Sequence, residues 1–266
     1  YKGDLYIAEN YNAEYIHNLP ATHSEMMRLD IPAYSELGVN GINFQHMRIH
    51  NNGVQKLLNY QFAQQAWEKN VAVDTLRDEF FAYYYQNAGE LVRQYYERLE
   101  LAMATISTWG YYLPRHSDEL LSTDDNPDSQ MSFMIDEKFA AQDSIKGVDF
   151  TTLWENTYHN IFEARYIMTQ LDSLQLSPIM MDKIADLNQQ LEYTELIVNL
   201  YDNIITYITS REDEDYIQEE AIIRMNENKL KLRALPIMSS LKGATTAYET
   251  CGVQHIVDLL NKDFKK

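Results

Sequence analysis

Two short apolar runs end in residues that could bind or process a polyhydroxylated ligand. Leu5-Tyr6-Ile7-Ala8 leads into Glu9-Asn10-Tyr11, and Val39-Asn40-Gly41-Ile42-Asn43-Phe44 leads into Gln45-His46-Met47-Arg48. Carboxylate, amide, imidazole and phenol groups suit sugar hydroxyls and suit phosphate poorly. Glu9 is the candidate catalytic residue, and Asn10, Tyr11, Gln45, His46 and Arg48 are the candidate substrate-binding residues. Glycoside hydrolysis normally uses a pair of carboxyl groups across the scissile bond, and only Glu9 stands at such an edge. The structural alternative is that Glu9 pairs with a neighbouring cation and shapes a loop, and that Gln45 and His46 serve the same loop-building purpose.

Other constellations carry less chemistry. His17, His23, His46 and His50 lie near one another in sequence but lack the helical spacing and companion carboxylate of a zinc site, so no metal is expected. Gly38-Val39-Asn40-Gly41 lacks the Gly-Lys-Ser/Thr ending of a phosphate loop. The acidic tract Arg211-Glu212-Asp213-Glu214-Asp215 lacks calcium-loop spacing and reads as a solvated helix end. Cys251 has no base partner in view and reads as a buried thiol. No cofactor is expected.

The elements that must position Glu9 and Gln45 follow from apolar periodicity. Both apolar runs read as short buried strands. Between them, Ser24 to Leu37 reads as a helix, with Pro32 expected to break or kink it near Ile31 and Gly38 expected to stop it. This strand–helix–strand order is the unit of a parallel sheet, and parallel neighbours would bring Glu9 and Gln45 to one rim. After Gly53 the pattern becomes helical. Val54, Leu57, Leu58, Phe62 and Ala66 form one stripe, and Leu91, Tyr95, Leu99, Met103 and Ile106 another. Breaks are expected near Asn70 and Gly89, with Asp74 as an N-cap. Residues 111–148 read as a loop-rich connector, and helices resume from Asp149, with a last one over Gln254 to Phe264. Leu58, Phe62, Trp67, Phe80, Leu99, Trp154, Phe162 and Leu191 are the expected core.

Composition narrows the partners. The formal charge of −18 disfavours nucleic acid and anionic lipid, whereas a neutral sugar meets no such penalty. The single cysteine rules out an intrachain disulfide. The longest apolar runs are too short to span a bilayer, so no transmembrane segment is expected. Tyr is the unusual residue, at 20 against 9 Phe; its flat face and polar tip suit sugar stacking, although most are expected at helix interfaces. The chain begins at Tyr1 and shows no signal peptide, which reads as a piece of a longer precursor.

The stretch from Leu5 to about Ser107 resembles a bacterial glycoside-hydrolase-like family with a TIM-type barrel, found in polysaccharide-degrading bacteria. The resemblance rests on Glu9-Asn10-Tyr11, Leu19-Pro20, Asp30-Ile31-Pro32-Ala33-Tyr34, Glu36-Leu37-Gly38-Val39-Asn40-Gly41-Ile42, Leu57-Leu58-Asn59-Tyr60, Ala66-Trp67-Glu68-Lys69-Asn70 and Asp78-Glu79-Phe80-Phe81-Ala82-Tyr83-Tyr84-Tyr85, with Ala88 and Tyr95-Tyr96 after. It implies a mostly α fold, in which an N-terminal βαβ remnant of an α/β (TIM-type) barrel is followed by a helical region. The implied organisation is a barrel end with its packing helices over 1–110, the connector over 111–148 and a helical domain over 149–266. The implied activity is on a complex polysaccharide or host glycan, outside the cytoplasm, with the rest of the barrel in the same precursor or a partner chain. Where this chain has Gln45 the family commonly carries an acidic residue; Gln exchanges no proton at neutral pH, so no catalytic role transfers to it. A rival resemblance, through Leu153-Trp154 and Tyr158 to Ala164, is to helical glycan-binding lipoproteins, which implies binding or scaffolding without catalysis.

Overall fold

The fold is taken from a computed structural model, which describes residues 3–9, 11, 19–20, 22–44, 54–104, 150–210 and 215–235. Strand β1 (Leu5–Glu9), helix α1 (Ser24–Glu36) and strand β2 (Val39–Phe44) come first. Then follow α2 (Gln55–Trp67), α3 (Val73–Tyr85), a 3₁₀ turn (Gln86–Ala88) and α4 (Gly89–Met103). Helices α5 (Phe150–Leu171), α6 (Pro178–Thr209) and α7 (Asp215–Ala234) complete the described chain. It is thus mostly helical, with a two-stranded parallel sheet. The expected helix over Gln254 to Phe264 and the connector over 111–148 lie outside the described residues. No described helix is long and apolar enough to cross a membrane.

The chain divides into two compact units. The first draws on Tyr1–Ala13, Pro20–Met103 and Asn160–Gln190, and the second on Glu14–Leu19, Ala104–His159 and Leu191–Lys266. In the first, β1 and β2 pair in parallel, with α1 as the crossover, as the sequence predicts. The register runs from Leu5 opposite Val39 to Glu9 opposite Phe44, with an irregularity between Leu5 and Tyr6. The strands are less buried than expected. Leu5 is exposed, and Tyr6 is 68% exposed with its ring lying over Gly41, where an added Cβ would come within 2.8 Å of it. Ile42 packs on the core, and Ile7 is half-buried.

Pro32 does not break α1, contrary to expectation. Proline inside a helix forfeits one hydrogen bond and crowds the carbonyl four residues back, at roughly 3 kcal/mol. Met27 and Ile31, both buried, hold the helix to Tyr11 and Leu58, with Ile42 and Phe62 packed against them. Burying two such side chains contributes about 3–6 kcal/mol, enough to offset the proline. A buried polar set ties α1 to α2 as well. Ser24 Oγ donates to Gln61 Oε1 at 2.6 Å, and Gln61 Nε2 donates to the Ser24 carbonyl and to Gln65 Oε1 at 2.9 and 2.8 Å. Gly38 ends the helix as expected; its φ of +78° is the left-handed region that favours glycine.

Helices α3 and α4 carry the aromatic core of this unit. Phe80, Phe81, Tyr85, Tyr95 and Tyr96 are buried, and the Tyr85 and Tyr96 hydroxyls lie 3.2 Å apart. Tyr95 donates to the Leu187 carbonyl at 3.3 Å, which satisfies its buried hydroxyl. Asp74 is not the N-cap; α3 starts at Val73 after Ala72, and Asp74 sits in the first turn, paired with Arg28 at 3.1 Å.

Two expected core residues are exposed. Trp67 is 93% and Phe162 is 68% exposed. At about 100° per residue, Trp67, nine residues after Leu58, points half a turn away from it. Phe162 precedes the buried Leu171 by the same nine residues, and its neighbour Ile161 takes the buried position instead. Leu58, Phe80, Leu99, Trp154 and Leu191 are buried as predicted, and Phe62 is partly so.

In the second unit, Tyr193, Ile197, Leu200, Tyr201 and Ile204 of α6 are buried, as are Ala221, Met225 and Leu232 of α7. Trp154 belongs to this unit, and its Nε1 donates to Asp202 Oδ1 at 2.9 Å. Trp154→Ala is expected to cost about 3–5 kcal/mol, whereas Trp67→Ala should stay within about 0.5 kcal/mol of the parent. Urea denaturation of both variants checks the pair, and equal midpoints would contradict the packing.

Candidate functional site

Glu9 is the last residue of β1, and alternation along the strand puts it on the same face as Leu5 and Ile7. That face meets α1. Asp30 and Tyr34, one helical turn apart on α1, lie on one side of it. The Tyr34 hydroxyl donates to Glu9 Oε1. Two residues beyond β1, Tyr11 turns its ring into the core and donates its hydroxyl to Asp30 Oδ2 at 3.2 Å. The Tyr11 and Tyr34 phenols also lie close enough to influence each other electrostatically. Two carboxylates and two phenols therefore form one connected set, held by β1, the segment after it and α1.

Electrostatics keeps both phenols protonated. The hydrogen bond to Glu9, then burial and the charges of Asp30 and Glu9, push the Tyr34 hydroxyl up to about 12. Burial, then the charges of Asp30 and Glu9, push Tyr11 far above the ordinary tyrosine value. Each phenol thus remains a donor at neutral pH. Among the described residues, Glu9 Oε2 and Asp30 Oδ1 take no hydrogen bond.

The candidate residues fare as follows. Glu9 ends β1 as predicted, and its register partner is Phe44, the residue before Gln45. Asn10, Gln45, His46 and Arg48 lie outside the described residues. Tyr11 is only 2% exposed, so its ring packs in the core and its hydroxyl serves Asp30. Asp30 and Tyr34 carried no chemical assignment from sequence. Their signal was the spacing of a carboxylate and a phenol one turn apart on a helix facing the strand that ends in Glu9. His23 is half-buried, and burial pulls its imidazole below its usual value, which favours the neutral form. No three His, Cys, Asp or Glu side chains converge on a metal position among the described residues.

A second polar feature of the same unit is a groove of about 560 Å³ between α1, α3 and α4. Several of its charges engage one another. Arg77 contacts Glu25 at 2.8 Å and Glu100 at 3.8 Å, and Arg93 contacts Glu97 at 2.6 Å. Glu100 accepts the backbone N–H of Glu25 at 3.0 Å, which caps the first turn of α1, where His23 supplies no side-chain bond. Burial raises the Glu100 carboxyl above its ordinary value, opposed by these N–H donors and Arg77. The groove accounts for how α1 is anchored.

The Tyr34 phenol gives a pH test. Its folded value lies above the unfolded value of about 10, so its contribution to stability is fully present below pH ~10 and is lost as pH rises through about 12. The stability difference between parent and Tyr34→Phe is therefore expected to shrink over that window. Denaturant midpoints taken from pH 8 to about 12 check it; a constant difference would separate Tyr34 from Glu9.

No family model matches the chain, and no curated protein or solved structure matches it either.

Proposed function

We propose that this chain is a carbohydrate-acting, glycoside-hydrolase-like protein whose substrate is an oligosaccharide or polysaccharide, either a complex polysaccharide or a host glycan. The observation that carries the reading is Glu9 at the C-terminal end of a parallel strand pair, one carboxylate oxygen held by Tyr34 and the other open among the described residues. In α/β barrels the C-terminal ends of the strands form the active face, and catalytic groups come from those ends. The β1–α1–β2 crossover is the repeating unit of such a barrel, which needs about eight strands. Parallel sheets are ordinarily extended and covered on both faces. On this reading the pair is the remnant of a TIM-type barrel, and its other strands come from the same precursor or a partner chain. Asp30, one turn before Tyr34 on α1 and held by Tyr11, offers the second carboxylate that glycoside hydrolysis calls for. Asn10, Gln45, His46 and Arg48 complete the substrate-binding rim. The protein works outside the cytoplasm, where such polymers are met.

Glu9→Gln is nearly isosteric and removes the charge and the proton-transfer capacity while leaving an acceptor for Tyr34. Glycan turnover should fall by about 10²–10⁴-fold with the circular dichroism spectrum unchanged. Reducing-sugar release by parent and variant from a panel of polysaccharides measures it. Equal turnover eliminates Glu9 as a catalytic residue, and a parent that binds glycans without cleaving them assigns the chain to the non-catalytic, glycan-binding reading.

A further inference from the structure

We infer that Glu100 makes the seat of helix α1 acid-responsive: in mildly acidic surroundings it takes up a proton, and α1, α3 and α4 then pack more firmly. The inference concerns the groove between these helices and does not depend on the carbohydrate reading. The charged groups that face Glu100 across the groove are Glu25 of α1, Asp74, Arg77 and Asp78 of α3, and Arg93 and Glu97 of its own helix. Five carboxylates thus share two guanidiniums, and the cations are unevenly assigned. Glu25 is held by Arg77 at 2.8 Å and by Arg28 at 3.1 Å. Arg28 also holds Asp74 at 3.1 Å, and Arg93 holds Glu97 at 2.6 Å. Asp78 is exposed to water. Glu100 is left with the far edge of Arg77, at 3.8 Å.

The carboxylate with the weakest cation is also the most sheltered of those in ion pairs. The Glu100 side chain is 20% exposed, against 49% for Glu25, 43% for Glu97 and 81% for Asp74. Withdrawal from water disfavours its charge, and the Glu25 carboxylate adds a like charge. The Glu25 N–H at 3.0 Å and the shared Arg77 offset only part of this, so the carboxyl stands above its ordinary value. Proton uptake removes one negative charge from a groove that has an excess of them. It leaves Arg77 to Glu25, and the Glu25 N–H still finds an oxygen. A folded value above the unfolded one of about 4.3 means that the folded chain binds this proton more tightly. Ionised Glu100 therefore costs stability at neutral pH, and that cost disappears as pH falls through the folded value toward about 4.3. His23, just before α1, acts in the opposite sense: burial lowers its imidazole, and stability is lost as pH falls below about 6.5. Asp30 and Tyr34 ride on α1, so firmness at its start is passed on toward the end of β1.

Urea denaturation of the full chain and of Glu100→Gln, from pH 8 down to about pH 4, isolates this group, because His23 and the other carboxyls titrate in both. The variant is nearly isosteric, keeps an acceptor for the Glu25 N–H and carries no charge. Its midpoint should exceed that of the parent by roughly a few tenths of a molar at pH 8, and the two should converge as pH falls to about 4.3. Carboxyl-carbon NMR reads the parent directly and needs no folded variant: Glu100 should titrate above about 4.3. Glu25→Gln, at an exposed position, removes the like charge and frees Arg77 for Glu100, so the Glu100 titration midpoint should fall. A Glu100→Gln chain no more stable than the parent at pH 8 would overturn the inference. So would a parent Glu100 midpoint at or below about 4.3, or one that Glu25→Gln leaves unmoved.

Discussion

The burial of Met27 and Ile31 against Tyr11 and Leu58 is the constraint on which the first unit depends. It keeps α1 helical through Pro32, and an unbroken α1 is what carries the crossover from β1 to β2. The same contact fixes the rotation of α1 about its axis. With Met27 and Ile31 turned inward, Asp30 and Tyr34 fall on the flank that faces the end of β1, and Tyr34 reaches Glu9. A break at Ile31 would have released Tyr34 from that orientation while leaving Asp30 in place. Packing in the core and geometry at the site are therefore consequences of one contact.

The polar interactions around α1 work with that contact. At its start, Glu100 accepts the Glu25 N–H, and Ser24 exchanges hydrogen bonds with Gln61. Buried amides such as Gln61 and Gln65 are costly to strand, and their partners along α1 leave a single register between α1 and α2. The ion pairs of the same unit, Arg28 with Asp74 and Arg93 with Glu90, are solvent-exposed and add little stability one by one. Their effect is on distribution. In a chain with 40 acidic and 22 basic residues, cations are scarce, and Arg28, Arg77 and Arg93 are each engaged by carboxylates of α1, α3 or α4.

How much of this was legible in the sequence varied with the physics involved. The parallel strand pair and the helices after Val54 announced themselves through runs and stripes, because hydrophobic period is a direct record of burial. Trp67 and Phe162 misled because size and apolar character were weighed above angle; each lies about half a turn from a buried residue on its own helix. Pro32 misled because its local cost was visible and the long-range packing that offsets it was not. Gln61 and Gln65 drew no assignment, since nothing in their own neighbourhood showed Ser24 and the Met27 carbonyl waiting for them. Asp30 and Tyr34 lay within a recognised segment, but their chemistry depends on a partner 25 residues away for Tyr34 and 19 for Asp30, and spacing along one helix does not reveal that.

The abundance of tyrosine becomes intelligible on the same grounds. Phenylalanine would have served the interior between α3 and α4, yet Tyr85 and Tyr96 sit there with their hydroxyls against each other, and Tyr95 spends its own on the Leu187 carbonyl. In these positions the phenol adds direction to a contact that is otherwise only apolar. Tyr11 applies that principle at the site. Its ring is one wall of the core around Met27 and Ile31, and its hydroxyl is the link to Asp30. Because one side chain belongs to both, the carboxylate pair cannot shift relative to the core without disturbing buried packing. A site assembled from loops would lack that coupling. Here the rigidity of a buried ring is passed to Asp30 through one hydrogen bond, and Tyr34, one turn further along the same helix, holds Glu9.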